Sequence, residues 1–349
     1  MSVSPDSTKG LPVGPDPKTP RDWSKTLAPY RAARTGRSIF EIVITAVPLL
    51  AIWALAWALH AHGWWWAALL LAAPAALFLV RLFMIQHDCG HGSFFGNRQA
   101  NEWVGRVIGV FTLTPYDYWR QTHAIHHATS GNLDRRGLGA IETLTVEEYT
   151  ALSPLRRLGY RLYRHPLVMF GLGPAFVFFN MQRLPIGMMR QGWRPWASVA
   201  GNGLAVLVGL GALIWLFGAV PVLLVNIVTM LLAGTIGVWL FYIQHQFEGA
   251  VWTRNGQWRR DEAALAGSSH YDLPPVLRWF TANIGIHHVH HLSSRIPFYR
   301  LPKVLRDHPE LRPMSRVGLW ESFRCARLAL WDEAKGRLVS VREARVGAA

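Results

Sequence analysis

Four blocks of apolar residues, each close to the length that crosses a bilayer, constrain this chain more than any other feature of its sequence. They are IVITAVPLLAIWALAWALH (42–60), WWWAALLLAAPAALFLVRLFMI (64–85), SVAGNGLAVLVGLGALIWLF (198–217) and VPVLLVNIVTMLLAGTIGVWLFYI (220–243). At about 1.5 Å per residue, each reaches across a hydrocarbon layer of roughly 30 Å. AHG joins the first pair and GA the second, so the blocks form two tight hairpins. A soluble fold does not suit a chain that is 51% apolar and carries a formal charge of +15, almost all of it outside the blocks. The sequence predicts an all-α integral membrane protein with four transmembrane helices.

Charge sets the orientation. The two hairpin loops contain no Lys or Arg, whereas residues 1–38 contain seven, which places both termini and all long segments on the cytosolic side. Residues 1–38 read as a flexible cytosolic tail without the apolar core of a signal peptide, and residues 311–349 as a basic cytosolic tail. Between them, 39–310 forms one membrane domain, and the long segments 86–197 and 244–349 build a helical cytosolic cap over the four spans. The stretch 101–113 reads as interfacial. Block 166–181, short and interrupted by glycines and a proline, reads as re-entrant or interfacial. Arg81, near the cytosolic end of the second span, is expected to snorkel outward. Two cysteines, Cys89 and Cys325, are too few for a disulfide framework and fit a reducing compartment. The glycines of GNGLAV at 201 follow no strand and read as helix packing, not as a dinucleotide loop. The positive charge fits the positive-inside bias, and no nucleic-acid partner is expected.

Histidines carry the chemistry. Of fifteen, eight fall into three clusters: His87 and His91 in HDCGH, His123, His126 and His127 in HAIHH, and His287, His290 and His291 in HHVHH. Spacings of three and four put imidazoles on one helix face. All three clusters can meet at one site against the membrane surface. Eight nitrogens exceed the needs of one zinc, and no cluster contains the Glu of a zinc protease motif. They suit two ions, and among imidazole-preferring metals iron is the one best known for activating O2.

These boxes, spread over two helical hairpins, resemble the three histidine boxes of the membrane-bound fatty acid desaturases. HGSFFGN, HHATSGNLDRRG, FYIQHQFEG and NIGIHHVHHLSSRIPFYRLP extend the likeness to the bacterial acyl-lipid delta-12 and omega-3 types, over roughly residues 40–310. The resemblance implies a non-haem site with two Fe, O2 as co-substrate, and removal of two hydrogens from adjacent methylenes of an acyl chain. It also adds His245, in IQHQFEG, to the ligands. Asp88, Asn283 and His288 are candidates to support the ligating rings, since such rings usually donate their second nitrogen to a nearby acceptor. Asp134 and Arg135 belong either to that network or to surface ion pairs. The basic stretch Arg295, Arg300, Lys303 and Arg306 suits an acidic electron carrier, anionic headgroups or an ordinary positive-inside surface.

The implied substrate is an acyl chain of a membrane phospholipid or glycolipid, in a bacterial inner membrane. The expected reaction is delta-12 (omega-6) desaturation of an oleoyl chain, set against omega-3 and delta-5 placement. The chain has no haem motif and no iron–sulfur cysteine set, so electrons come from a separate donor, ferredoxin or, as the alternative, a cytochrome b5-type protein. Two other classes compete. A sister di-iron oxidase, such as a fatty acid hydroxylase, carotenoid ketolase or hydroxylase, or alkane hydroxylase, shares the boxes. A metal transporter or scaffold fits poorly, because the spans offer little beyond Asn226 and Thr229 near their midplane. His60, His62, His165, His270 and His308 read as ordinary histidines.

Overall fold

The computed structural model describes residues 20–346. Its four longest apolar helices are Thr35–Ala61, Trp65–Gly90, Trp193–Phe217 and Ala219–His245, the spans expected from hydropathy. Gly63 and Gly218 adopt positive φ (83° and 87°) at the two hairpin turns. The first span packs along the second and the second along the fourth, while the third leans on the cap and is the least covered by protein.

The first span starts seven residues before its apolar block, at Thr35 rather than 42, and the extra turns are polar. Ser38 and Glu41 are nonetheless buried, because each finds a partner across the fold. Ser38 donates to the Phe94 carbonyl at 2.5 Å. Glu41 pairs with Arg81 of the second span. Arg81 therefore does not snorkel: it is 2% exposed, donates to Thr45 Oγ1 at 3.2 Å and to the Trp279 carbonyl, and lies 3.9 Å from the Trp279 ring centroid. A carboxylate within reach on the neighbouring span offers this cation more than the route to water does.

Helix Arg98–Phe111 is amphipathic, capped by the Asn97 side chain, with Trp103, Val107 and Phe111 on its exposed face. Residues 154–183 form two helical pieces, Pro154–Tyr163 and Val168–Arg183, bent by 58°. The second piece rests on the fourth span, where Gly234 lets Pro174 and Phe178 approach closely and Thr235 donates to the Phe170 carbonyl at 2.8 Å.

The cap also contains short strands that hydropathy did not predict. Leu144–Thr145 runs parallel to Leu328–Asp332, which pairs antiparallel with Arg337–Ser340. His270–Asp272 runs parallel to Arg316–Gly318. Residues 311–346 are thus woven into the cap as strand partners. The part of the N-terminal tail before residue 20 lies outside the described residues.

Candidate metal centre

Each histidine cluster is brought to the site by a different element. His87 occupies the last turn of the second span, and His91 caps it. His123, His126 and His127 project from helix Tyr116–Thr129. His245 ends the fourth span, and His287, His290 and His291 lie on the short helix His287–Leu292. That helix is held by the strand beside it: the amides of His287 and His288 both reach the Ser269 carbonyl at 3.2 Å, and Tyr271 N donates to the Gly285 carbonyl at 2.7 Å. Gly285 is required there, since a Cβ would sit 2.3 Å from the Tyr271 carbonyl oxygen.

The nine imidazoles sort into two groups whose ring nitrogens lie within 4.8 Å of one another: His87, His91, His123, His127 and His290, and His126, His245, His287 and His291. Eight are buried and His91 is nearly so. His123 Nε2 faces His91 Nε2 at 3.0 Å and His127 Nε2 at 3.1 Å. His245 Nε2 faces His126 Nε2 at 3.0 Å and His287 Nε2 at 3.1 Å. A ring nitrogen carries one proton or one lone pair, so neither His123 nor His245 can satisfy both neighbours through Nε2. A cation can satisfy all of them. The two donor sets could each hold one metal ion.

Outer contacts fix some of the rings. His245 Nδ1 is 3.2 Å from the Gly267 carbonyl and 3.3 Å from Ser130 Oγ, so its proton has an acceptor on the far side from the cluster. Trp119 stacks on His123, centroids 4.6 Å apart and planes 15° off parallel. Gly90 makes room for that indole, since a Cβ would meet it at 2.8 Å. Asp88 lies with Oδ1 3.4 Å from His87 Nδ1 and accepts from Phe298 N at 2.7 Å. Asn283, in a left-handed turn (φ 57°), reaches the Phe298 carbonyl at 3.5 Å instead of a histidine ring. His288 belongs to neither group, and its Nε2 is 2.9 Å from the Leu311 carbonyl. Gly267 and Trp119 lie outside every motif the sequence offers, and Ser130 lies in HHATSGNLDRRG with nothing there to mark its contact with His245.

Behind His245 sits a buried cation without a carboxylate. Arg164, 5% exposed, donates to the carbonyls of Glu142 (2.7 Å) and Leu328 (2.9 Å) and to Gln246 Oε1 (2.9 Å). Gln246 in turn donates to Thr143 Oγ1 at 2.9 Å. A crevice of about 20 Å³, room for one water, opens beside His126 and His245 between Phe241, Ile141 and Trp252. The Phe241 ring centroid lies 5.0 Å from that of His126.

The fatty acid desaturase family model matches residues 64–323. The chain belongs to the fatty acid desaturase family. It is 41% identical to a fatty acid desaturase of Bacillus subtilis (strain 168) over 92% of this chain and 91% of the relative. It is 28% identical to the sn-1 acyl-lipid omega-3 desaturase (ferredoxin) of Synechocystis over 72% and 68%. The sn-1 oleoyl-lipid 12-desaturase of Anabaena variabilis is 28% identical over 64% and 63%. Membership makes this desaturase an oxidoreductase of the membrane, and its nine clustered imidazoles are able to hold metal.

Burial, and then the neighbouring rings, keep His91, His123, His126, His127, His287, His290 and His291 well below the usual imidazole range. At neutral pH they are uncharged, the form that binds metal. The sign of the linkage follows. Below about pH 6.5 unfolded imidazoles take up protons that the folded ones refuse, so stability is intact above that pH and falls below it. Each such imidazole adds to the loss as the pH falls. The SDS-unfolding midpoint of metal-free protein should therefore drop steeply between pH 7 and 5. A midpoint that stays flat would contradict this account of the cluster.

Proposed function

We propose that this desaturase holds two Fe on its nine histidines and introduces a cis double bond into an acyl chain of a membrane lipid. The observation that carries the reading is the division of the nine rings into groups of five and four nitrogens. When bound, the irons would supply, by reducing O2, the oxidising power that an unactivated methylene demands. The balance is one saturated carbon–carbon bond, O2, two electrons and two protons giving one double bond and two waters.

The chain's own residues have three tasks. His87, His91, His123, His127 and His290 would hold one ion, and His126, His245, His287 and His291 the other. The Gly267 carbonyl and Ser130 keep the Nδ1 proton of His245 turned away, leaving Nε2 free to ligate. Asp88 orients His87, while Asn283 and His288 brace the backbone around Phe298 and Leu311. Phe241 and Trp252 keep the approach to His126 and His245 narrow and apolar, which limits water at the reacting methylenes.

The finer reading is the delta-12 position of an oleoyl chain. Its support is the printed activity of three cyanobacterial relatives, each an sn-1 oleoyl-lipid 12-desaturase at 26–28% identity. Ferredoxin is the proposed electron donor, supported by the name of the Synechocystis omega-3 relative. A host lacking polyunsaturated lipids and expressing this chain should gain a diene from oleate, in lipid-bound chains first and only with O2 and a donor. Derivatisation locates the new bond. A bond at the omega-3 or delta-5 position would replace the regiochemistry, and hydroxylated fatty acid or oxidised carotenoid without a new double bond would replace the reaction.

The proposed orientation puts both termini and the metal centre on the cytosolic side of the inner membrane, supported by the absence of Lys and Arg from the hairpin loops. It requires that residues 166–181 do not cross fully, and the 58° bend that precedes Val168 is compatible with a re-entrant segment. Single cysteines at Arg161 and Arg190, in a background without Cys89 and Cys325, should both be labelled from the cytosol. Labelling from opposite faces would refute the arrangement.

A further inference from the structure

A groove of about 610 Å³ with no histidine in its lining runs between helix Arg98–Phe111 and the third span. Its floor is apolar, formed by Val107, Val110, Ala197 and Ala205, and nothing lies within 4 Å of where a Cβ on Gly201 would stand. Its mouth is cationic. Arg106, Arg120 and Arg194 border it, with Asp117 the one carboxylate in the lining. Asp117 engages Arg106 through two bonds of 2.8 and 3.1 Å. Arg120 stands 3.6 Å from Glu102, and Arg194 makes no ion pair among the described residues.

The depth of this mouth relative to the bilayer is also marked. Trp193 is the first residue of the third span, and it and Trp103 border the groove, 73% and 65% exposed. Exposed indoles at a span terminus sit at headgroup level. The occupant must therefore present an anion at the interface and an apolar chain below it. An apolar partner helix would leave Arg194 without a counter-charge, and a water-soluble anion would leave the floor bare.

We propose that the groove binds an anionic glycerophospholipid, its phosphate at Arg194 and Arg120 and one acyl chain along Val107, Val110 and Gly201. The site is independent of the reaction proposed above, since it holds whether or not that acyl chain is the one oxidised.

The test is lipid retention, which needs neither metal nor turnover. Protein in nanodiscs of equal phosphatidylglycerol and phosphatidylethanolamine is extracted with mild detergent, and the bound lipid is counted by mass spectrometry. Phosphatidylglycerol should be enriched about fivefold, the effect of one interfacial arginine. Arg194→Glu should abolish the enrichment, whereas Arg161→Glu, elsewhere on the cap surface, should leave it within about twofold. Gly201→Phe, which fills the floor, should lower retention of both lipids. No enrichment in the unaltered protein, or equal loss in Arg161→Glu, would overturn the site. So would unchanged retention in Gly201→Phe, or conversion of a dimer to a monomer by that change, which would give the groove to a second copy of the chain.

Discussion

Alanine at His126 should abolish desaturation and cost the protein metal, and alanine at His290 should do the same through the other nitrogen group. The effect is expected to be complete because no Asp, Glu or Cys belongs to either set to take the place of a lost imidazole. His288→Ala provides the contrast. Its ring faces the Leu311 carbonyl, so the variant should keep its metal and lose stability alone, about 2–5 kcal/mol for the cavity and the stranded carbonyl. Iron analysis of purified protein checks all three, with about two irons expected in the unaltered chain. One zinc per chain, or full activity in His290→Ala, would sink the assignment.

The second large effect belongs to Arg164. Two of its acceptors are backbone carbonyls, which no side-chain substitution removes, so Arg164→Met strands several buried oxygens at once. A loss of about 3–5 kcal/mol is expected. Arg164→Lys should recover only part of it, because an ammonium lacks the planar fork that spans Glu142, Gln246 and Leu328. Since Gln246 follows His245, the Met variant should also lose metal from the group of four more readily than from the group of five. Unfolding midpoints and the rate of metal release to a chelator measure both effects. Equal release from the two groups would show that Arg164 is merely a structural clamp.

Much of this was legible in the sequence because its signals are local. Apolar runs of bilayer length and imidazoles three and four residues apart are patterns within single helices, and they located the four spans and the clusters His87/His91, His123/His126/His127 and His287/His290/His291. Partners distant in sequence were not legible. Nothing around Arg164 announces that Leu328 will lie against it, and Leu144 pairs with Leu330 across the length of the cap. The first span's start was hidden for the same reason, since Ser38 and Glu41 look like solvent-facing residues until Phe94 and Arg81 are placed beside them. Arg81 was misjudged because snorkelling is the fate of a lone cation, and this one is not alone. Asn283 lies one turn from His287 only if that stretch is helical, and the left-handed backbone at Ala282 and Asn283 breaks the spacing.

The weaving of the last strands into the cap bears on how the protein is made. Translation delivers the third histidine cluster before Arg316–Gly318, the strand that pairs beside it, and before Leu328, whose carbonyl receives Arg164. At 5–20 residues per second, the 37 residues from His291 to Leu328 take roughly 2–7 s to synthesise. Until those residues emerge, the histidine elements lack the clamp that closes over them. Loading with metal is then a step for the released chain, and ribosomes stalled before residue 316 should carry an inserted but metal-poor polypeptide.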